Sequence, residues 1–148
     1  MVVSACSGDD NNNGGDSCSV ALTGAVTSTI TCTAAVGAYT SATNQSAVSV
    51  LASGSTPGLA LALAFPGTLH TGTYHSTDAG AAGGITVTQG QSSWLAVAGT
   101  GTYTVNLTTV STLSSTAQGT SYLIHGTIDA TLVAAAQGAA SVTLHATF

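Results

Sequence analysis

The side chains that can do chemistry are few in this chain. Its 148 residues include four histidines, five aspartates and three cysteines, but no lysine, arginine or glutamate. Only Asp78 and Asp129 lie in the part of the chain that is patterned as a folded domain, and they belong to unrelated segments. Hydrolysis of glycosides needs two facing carboxylates, and the Gly-x-Ser-x-Gly motif of many serine hydrolases is absent. We therefore expect neither an enzyme nor a bound cofactor.

The missing cations exclude further classes of function. A protein that binds nucleic acid needs lysine or arginine to displace counterions from the phosphates. Phosphate-binding loops of the P-loop type need a lysine, and electrostatic attraction to anionic lipid needs a basic patch. With a formal net charge of −5 and no cationic residue, the chain is not expected to have a nucleic-acid partner.

Three of the candidate ligands come together if the last two strands pair. When the apolar positions of residues 128–132 face those of residues 142–146, the side chains of His125, Asp129 and His145 share the outer face of the sheet. A cross-strand contact between Asp129 and His145 is then possible. A zinc or copper site drawn from the three residues is one interpretation. The other is a polar outer face with no metal, and this is the interpretation we adopt.

Two of the cysteines flank a predicted hairpin. Residues 19–31 alternate apolar and polar side chains on either side of a glycine-containing turn. With the turn centred near Ala25, Val20 opposes Ile30. The same register places Cys18 opposite Cys32, at a separation that a disulfide can span. We predict a Cys18–Cys32 disulfide that closes the first hairpin.

Period-two alternation of apolar and polar residues dominates the chain from Cys18 to its end, and no stretch shows a helical period. The alternation is clearest in the run LALALAF, residues 59–65, and turn signals recur about every ten residues. This spacing predicts an all-β fold, an antiparallel β-sandwich or closed barrel of about nine strands. The single tryptophan, Trp94, is expected in its core.

The start of the chain resembles a known targeting signal. Val3-Ser4-Ala5-Cys6 is similar to the lipobox of bacterial lipoproteins, in which an aliphatic residue and two small residues precede the cysteine that is acylated. The polar tract that follows, SGDDNNNGGDS, has the composition of a flexible tether. The resemblance implies that Cys6 carries lipid and that the protein reaches the membrane through this anchor. Ser7, by the same resemblance, points to the outer membrane or cell surface.

Three segments follow from these observations. We expect residues 1–5 to be the end of a signal peptide, 6–17 to be the lipidated cysteine with its tether, and 18–148 to be the β-domain. The last hairpin of that domain, from Tyr122 onward, looks like that of secreted bacterial β-sandwich lipoproteins. The expected function is an extracytoplasmic, non-catalytic module that is structural or binds a ligand. The alternative is a subunit of an extracellular fibre or surface layer that associates with itself through strand edges, because lysine does not protect those edges.

Overall fold

The computed structural model describes residues 18–52 and 56–148. These residues form eleven β-strands. In chain order the strands are β1 (Ser19–Gly24), β2 (Ser28–Thr31), β3 (Ala34–Thr40), β4 (Gln45–Leu51), β5 (Gly58–Pro66), β6 (Gly72–His75), β7 (Ala82–Gln89), β8 (Ser92–Val97), β9 (Thr102–Thr116), β10 (Gly119–Ala134) and β11 (Val142–Thr147). No helix in the described part of the chain is long and apolar enough to cross a membrane.

The strands join in one antiparallel sheet that closes on itself. The hydrogen-bonded order is β2-β1-β11-β10-β3-β4-β5-β7-β8, and the far end of β10 also pairs with β8. The long strand β10 therefore belongs to both halves of the fold. Along one edge it pairs with β9, and along the other it pairs first with β3 and then with β11. Strand β6 is added outside β9.

A single apolar core fills the interior. Every strand except β3 contributes buried side chains, because the alternation of side chains along a strand places every second residue on the inner face. Strand β3 adds the partly buried Ala35 and Tyr39. The ring of Phe65 on β5 lies 4.8 Å from that of Tyr74 on β6 and 6.4 Å from that of Tyr103 on β9. These contacts show that β5 and the β6–β9 pair lie on opposite sides of one core.

The structure confirms the antiparallel all-β fold. Trp94 is buried, as expected, and its indole N–H donates to the carbonyl of Ala140. There are eleven strands where the pattern suggested about nine. The sequence interpretation did not anticipate β3 or β6, since β3 has glycine at its one fully buried position and β6 has only four residues. Strand β9 also continues to Thr116, through a polar stretch that shows little alternation.

Candidate functional site

One outer side of the sheet is a continuous polar surface. It is formed by the outward side chains of β6, β9, β10, β11, β1 and β2, and the strand registers align these side chains in rows. One row reads His75, Thr104, Asp129, His145, Ala21 and Thr29. The next reads Thr73, Asn106, Thr127, Thr147, Ser19 and Thr31, and a third reads Thr102, Thr131, Thr143 and Thr23. We call this surface the polar face. Its three rows offer closely spaced hydrogen-bonding groups, and within these rows only Ala21 has an apolar side chain.

The centre of the polar face is an aspartate–histidine pair. Asp129 on β10 is in direct register with His145 on β11, and Oδ1 of the carboxylate lies 2.6 Å from Nδ1 of the imidazole. An ionised carboxylate only accepts hydrogen bonds, so His145 donates through Nδ1. In the neutral ring Nε2 is then an acceptor, and the hydroxyl of Thr147 lies 3.4 Å from it. Both members of the pair are about half exposed, so a ligand in solution can reach them.

A second histidine lies at the edge of the same row. Nδ1 of His75 is 3.2 Å from the hydroxyl of Thr104, and the backbone N–H of His75 donates to the Asp78 carboxylate at 2.7 Å. Asp78 thus fixes the turn that follows β6. Burial raises the pKa of the Tyr103 phenol, and the negative charge of Asp78 raises it further.

The structure brings together two of the three candidate metal ligands. Asp129 and His145 are in contact, as the register predicted, but His125 lies four residues before Asp129 on β10, about 13 Å along the strand. His125 lies between the part of β10 that pairs with β3 and the part that pairs with β11. Its neighbours there include Cys18 and Phe148. Within residues 18–52 and 56–148, no group of three or more histidine, cysteine, aspartate or glutamate side chains is arranged to hold a metal ion.

The predicted disulfide is present and closes the first hairpin. Cys18 and Cys32 are bonded, with their Cα atoms 5.0 Å apart, and β1 pairs with β2 in the register that the turn near Ala25 predicted. The bond fixes the point where the chain enters the sheet. That point is next to the end of β11, since Ser19 pairs with Thr147. Cys6 and the preceding lipobox-like residues lie outside the described residues.

Several depressions lie in the described surface away from the Asp129–His145 pair. The first, of about 550 Å³, lies on β4 and β5, near Leu51 and Ala62, and contains no carboxylate. One, of about 290 Å³, lies between the β7–β8 turn and the segment after β10, with Trp94 and several alanines in its wall. Another, of about 210 Å³, lies beside the disulfide. Neither contains a carboxylate, and the Asp129–His145 pair stands on open sheet and not in a cleft. The arrangement suits contact with an extended ligand better than enclosure of a small one.

Comparison with other proteins adds no relative: no family model, no curated protein and no solved structure matches the chain. The functional interpretation therefore depends on the geometry. Sequence reasoning found Asp129 and His145 but missed His75 and Thr104, because it did not anticipate β6. The available signal was the alternation of Thr73 and His75 with buried Tyr74, which is too short to identify a strand by itself.

Proposed function

We propose that this protein is a cell-envelope lipoprotein. In this proposal acyl chains on Cys6 hold it at the outer membrane or cell surface, and its β-domain has a structural or ligand-binding role without catalysis. The observation that carries the proposal is the disulfide. It joins Cys18 to Cys32 and so accounts for two of the three cysteines, and Cys6 remains for another use.

The disulfide supports export because such bonds form and persist in oxidising compartments outside the cytoplasm. An odd cysteine in an exported protein calls for an explanation, and lipid attachment at a lipobox-like sequence supplies one. The tether is also long enough for the task. Residues 7–17 can span up to about 36 Å when extended, so an anchored domain has room to turn its polar face toward a ligand.

The polar face supports the ligand-binding role. Its rows combine hydroxyls, an amide, two imidazoles and a carboxylate on adjacent strands, about 4.8 Å apart. Because the chain has no cation, this surface cannot attract an anionic polymer electrostatically. A neutral ligand with many hydrogen-bonding groups, contacted over several rows, is the chemistry that fits.

Mass spectrometry of native protein from washed membranes tests the lipid anchor. We expect the peptide that begins at Cys6 to carry a diacylglyceryl group, and we expect a Cys6→Ser variant to leave the membrane fraction. The disulfide of the variant should be intact, which shows that its domain still folds. A native protein that is released without lipid and has an unmodified Cys6 would contradict the proposal.

A subunit of a fibre or surface layer is the second candidate. The observation in its favour is the outer edge of β9 beyond β6, residues 108–116, which carries no charge and has no strand partner among the described residues. Two features oppose it. Register shifts interrupt the β9–β10 ladder twice in this stretch, and the other edge strands, β2 and β6, have only four residues each. Bulges and short edge strands both prevent open-ended pairing. Negative-stain microscopy decides, since growing filaments would favour this candidate and discrete particles would eliminate it.

A metal-binding role is the remaining alternative, and its support is the Asp129–His145 contact. Equilibrium dialysis against Zn²⁺ and Cu²⁺ compares the wild type with a His125→Ala/His145→Ala variant. Metal retained by the wild type and lost in the variant would support this role. Equal retention by both proteins, or none, would end it.

A further inference from the structure

The opposite outer side of the sheet has a different composition from the polar face. It is formed by the outward side chains of β3, β4, β5, β7 and β8 and of the two ends of β10, which the registers again align in rows. One row reads Ser121, Ala38, Ala47, Ala64 and Ala82. The next row reads Leu123, Val36, Ser49, Ala62, Gly84 and Val97. Beside it lie two shorter rows. One pairs Ala34 with Leu51, and the other reads Ala60, Thr86, Leu95 and Val133. We call this surface the alanine face.

The alanine face is apolar, uncharged and accessible in the described structure. Val36, Leu123, Leu51 and Val133 are 39%, 43%, 50% and 42% exposed. Strand stability does not explain the alanines, since alanine is a poor strand former and threonine, used on the polar face, is a good one. The largest exposed apolar patch of a protein is often an interaction surface.

We infer that the alanine face is the contact surface for a second copy of this chain, which makes the protein a face-to-face homodimer. The first argument is electrostatic. The face carries no charge, while both carboxylates of the described part lie elsewhere, Asp129 on the polar face and Asp78 in the turn after β6. Two negatively charged copies can therefore meet here without bringing like charges together.

The second argument is shape. In the row through Ser49, Val36 and Leu123 lie on one side of β4, and Ala62 and Gly84 lie at the matching positions on the other side, with Val97 farther out. A twofold axis parallel to β4 places the large side chains of one copy over the small ones of its partner. Such a contact is self-complementary, as the closed interface of a twofold dimer must be.

The third argument is size. Six strands about 4.8 Å apart and about seven residues long cover on the order of 550 Å² in projection, and the accessible area is larger than the projection. A standard interface buries about 800 Å² on each partner, and the face can supply the larger part of that area. A lipid surface is a poorer occupant, because the face has none of the tryptophan, tyrosine, lysine or arginine residues that mark membrane interfaces.

The test is the oligomeric state of the full chain with Cys6→Ser, so that lipid does not drive association. Sedimentation equilibrium should show a dimer at high protein concentration that dissociates on dilution. Ala62→Asp and, independently, Ala47→Asp should weaken the dimer by about a hundredfold or more, because each contact would bury two carboxylates without partners. The matched control is Thr143→Asp on the polar face, which should leave the dimer unchanged.

Each other outcome overturns the inference. A wild-type monomer at every concentration removes the dimer, and a dimer that resists both alanine-face variants places the contact on another surface. Binding of the wild type, but not of Ala62→Asp, to phosphatidylcholine vesicles would assign the face to lipid. Circular dichroism and urea unfolding check that each variant is folded. The oligomeric state of the wild type tests the inference even if a variant fails to fold. The inference is independent of Cys6, so it can fail while the lipoprotein proposal holds.

Discussion

The two outer faces of this sheet differ although they enclose the same core. On the polar face the outward positions are mainly threonine, with histidine, asparagine and aspartate among them. On the alanine face alanine is the most frequent residue at the outward positions, followed by valine and leucine, with two serines, one threonine and one glycine. The inward residues of both halves are alike, so burial in the core does not cause the difference. The difference is the one expected if the two sides contact different partners, as proposed above.

The comparison also shows how a sheet without lysine limits its own association. The polar face presents hydrogen-bonding side chains to solvent, and the edge strands beside it are short or bulged. The alanine face has no such protection, and its neighbouring strands pair on both sides, β3 with β10 and β4, and β5 with β4 and β7. Association is thereby directed to one face and away from the edges.

The largest effect on stability is expected from the disulfide, which lies in the half of the fold that carries the polar face. Replacing Cys18 and Cys32 by serine should lower the free energy of unfolding by about 3 kcal/mol, the value expected for a loop of this length. Urea unfolding measures this loss in the free energy of unfolding. Hydrogen exchange should show the loss of protection first in β1 and β2 and last in β4 and β5. A uniform loss would mean that the two halves unfold as one unit.

A smaller effect is expected from the interior of the other half. A Cβ atom added at Gly37 on β3 would lie 2.7 Å from Leu69, 3.1 Å from Ile124 and 3.2 Å from Tyr122. Gly37→Ala should therefore cost about 2 kcal/mol through overpacking. Ala38→Ser, one position along and facing outward, is the control and should change little. If both variants have the wild-type urea midpoint, the core behind the alanine face is looser than the structure indicates.

How much of this was visible in the sequence depends on the range of the contacts involved. The β1–β2 hairpin, its disulfide and the β10–β11 register follow from local alternation and a turn, and each was predicted correctly. The pairings of β10 with β3 and of β9 with β6 join segments far apart in the chain, and alternation says only that a residue faces outward. It does not say which outward residues become neighbours.

The partition into two faces shows this limit most clearly. The alternate alanines Ala60, Ala62 and Ala64 and the threonines Thr127 and Thr131 are both visible in the sequence. Only the long-range registers collect the alanines on one side and the threonines on the other. Likewise, His75 could be placed beside Thr104 only after β6 was found to pair with β9.

A pH-dependent effect is expected from the core between the faces. Tyr103 is 1% exposed, its hydroxyl donates to the carbonyl of Ala82 at 3.3 Å, and burial together with Asp78 raises its pKa. A tyrosine whose pKa is raised by folding stabilises the folded protein fully at a pH below its pKa in the unfolded chain, near 10. This stabilisation is lost as the pH rises through the pKa of the tyrosine in the folded protein. Stability should therefore fall in alkaline solution, and by less in Tyr103→Phe. At neutral pH the variant should lose about 1 kcal/mol, the worth of one hydrogen bond. Urea unfolding at several pH values checks both statements, and equal alkaline losses in the two proteins would assign the effect to other groups.

The smallest effect is expected at the centre of the polar face. Asp129 and His145 are about half exposed, and solvent screens such a pair, so their coupling should be below about 1 kcal/mol. A double-mutant cycle with Asp129→Asn, His145→Gln and the double variant measures it directly. A weak coupling means that the pair does little for the fold and that its hydrogen-bonding groups can turn to a ligand at small cost. A coupling well above that limit would make the pair a structural clamp between β10 and β11. The two faces would then differ in the interactions that stabilise the sheet, and not in the molecules that bind to each face.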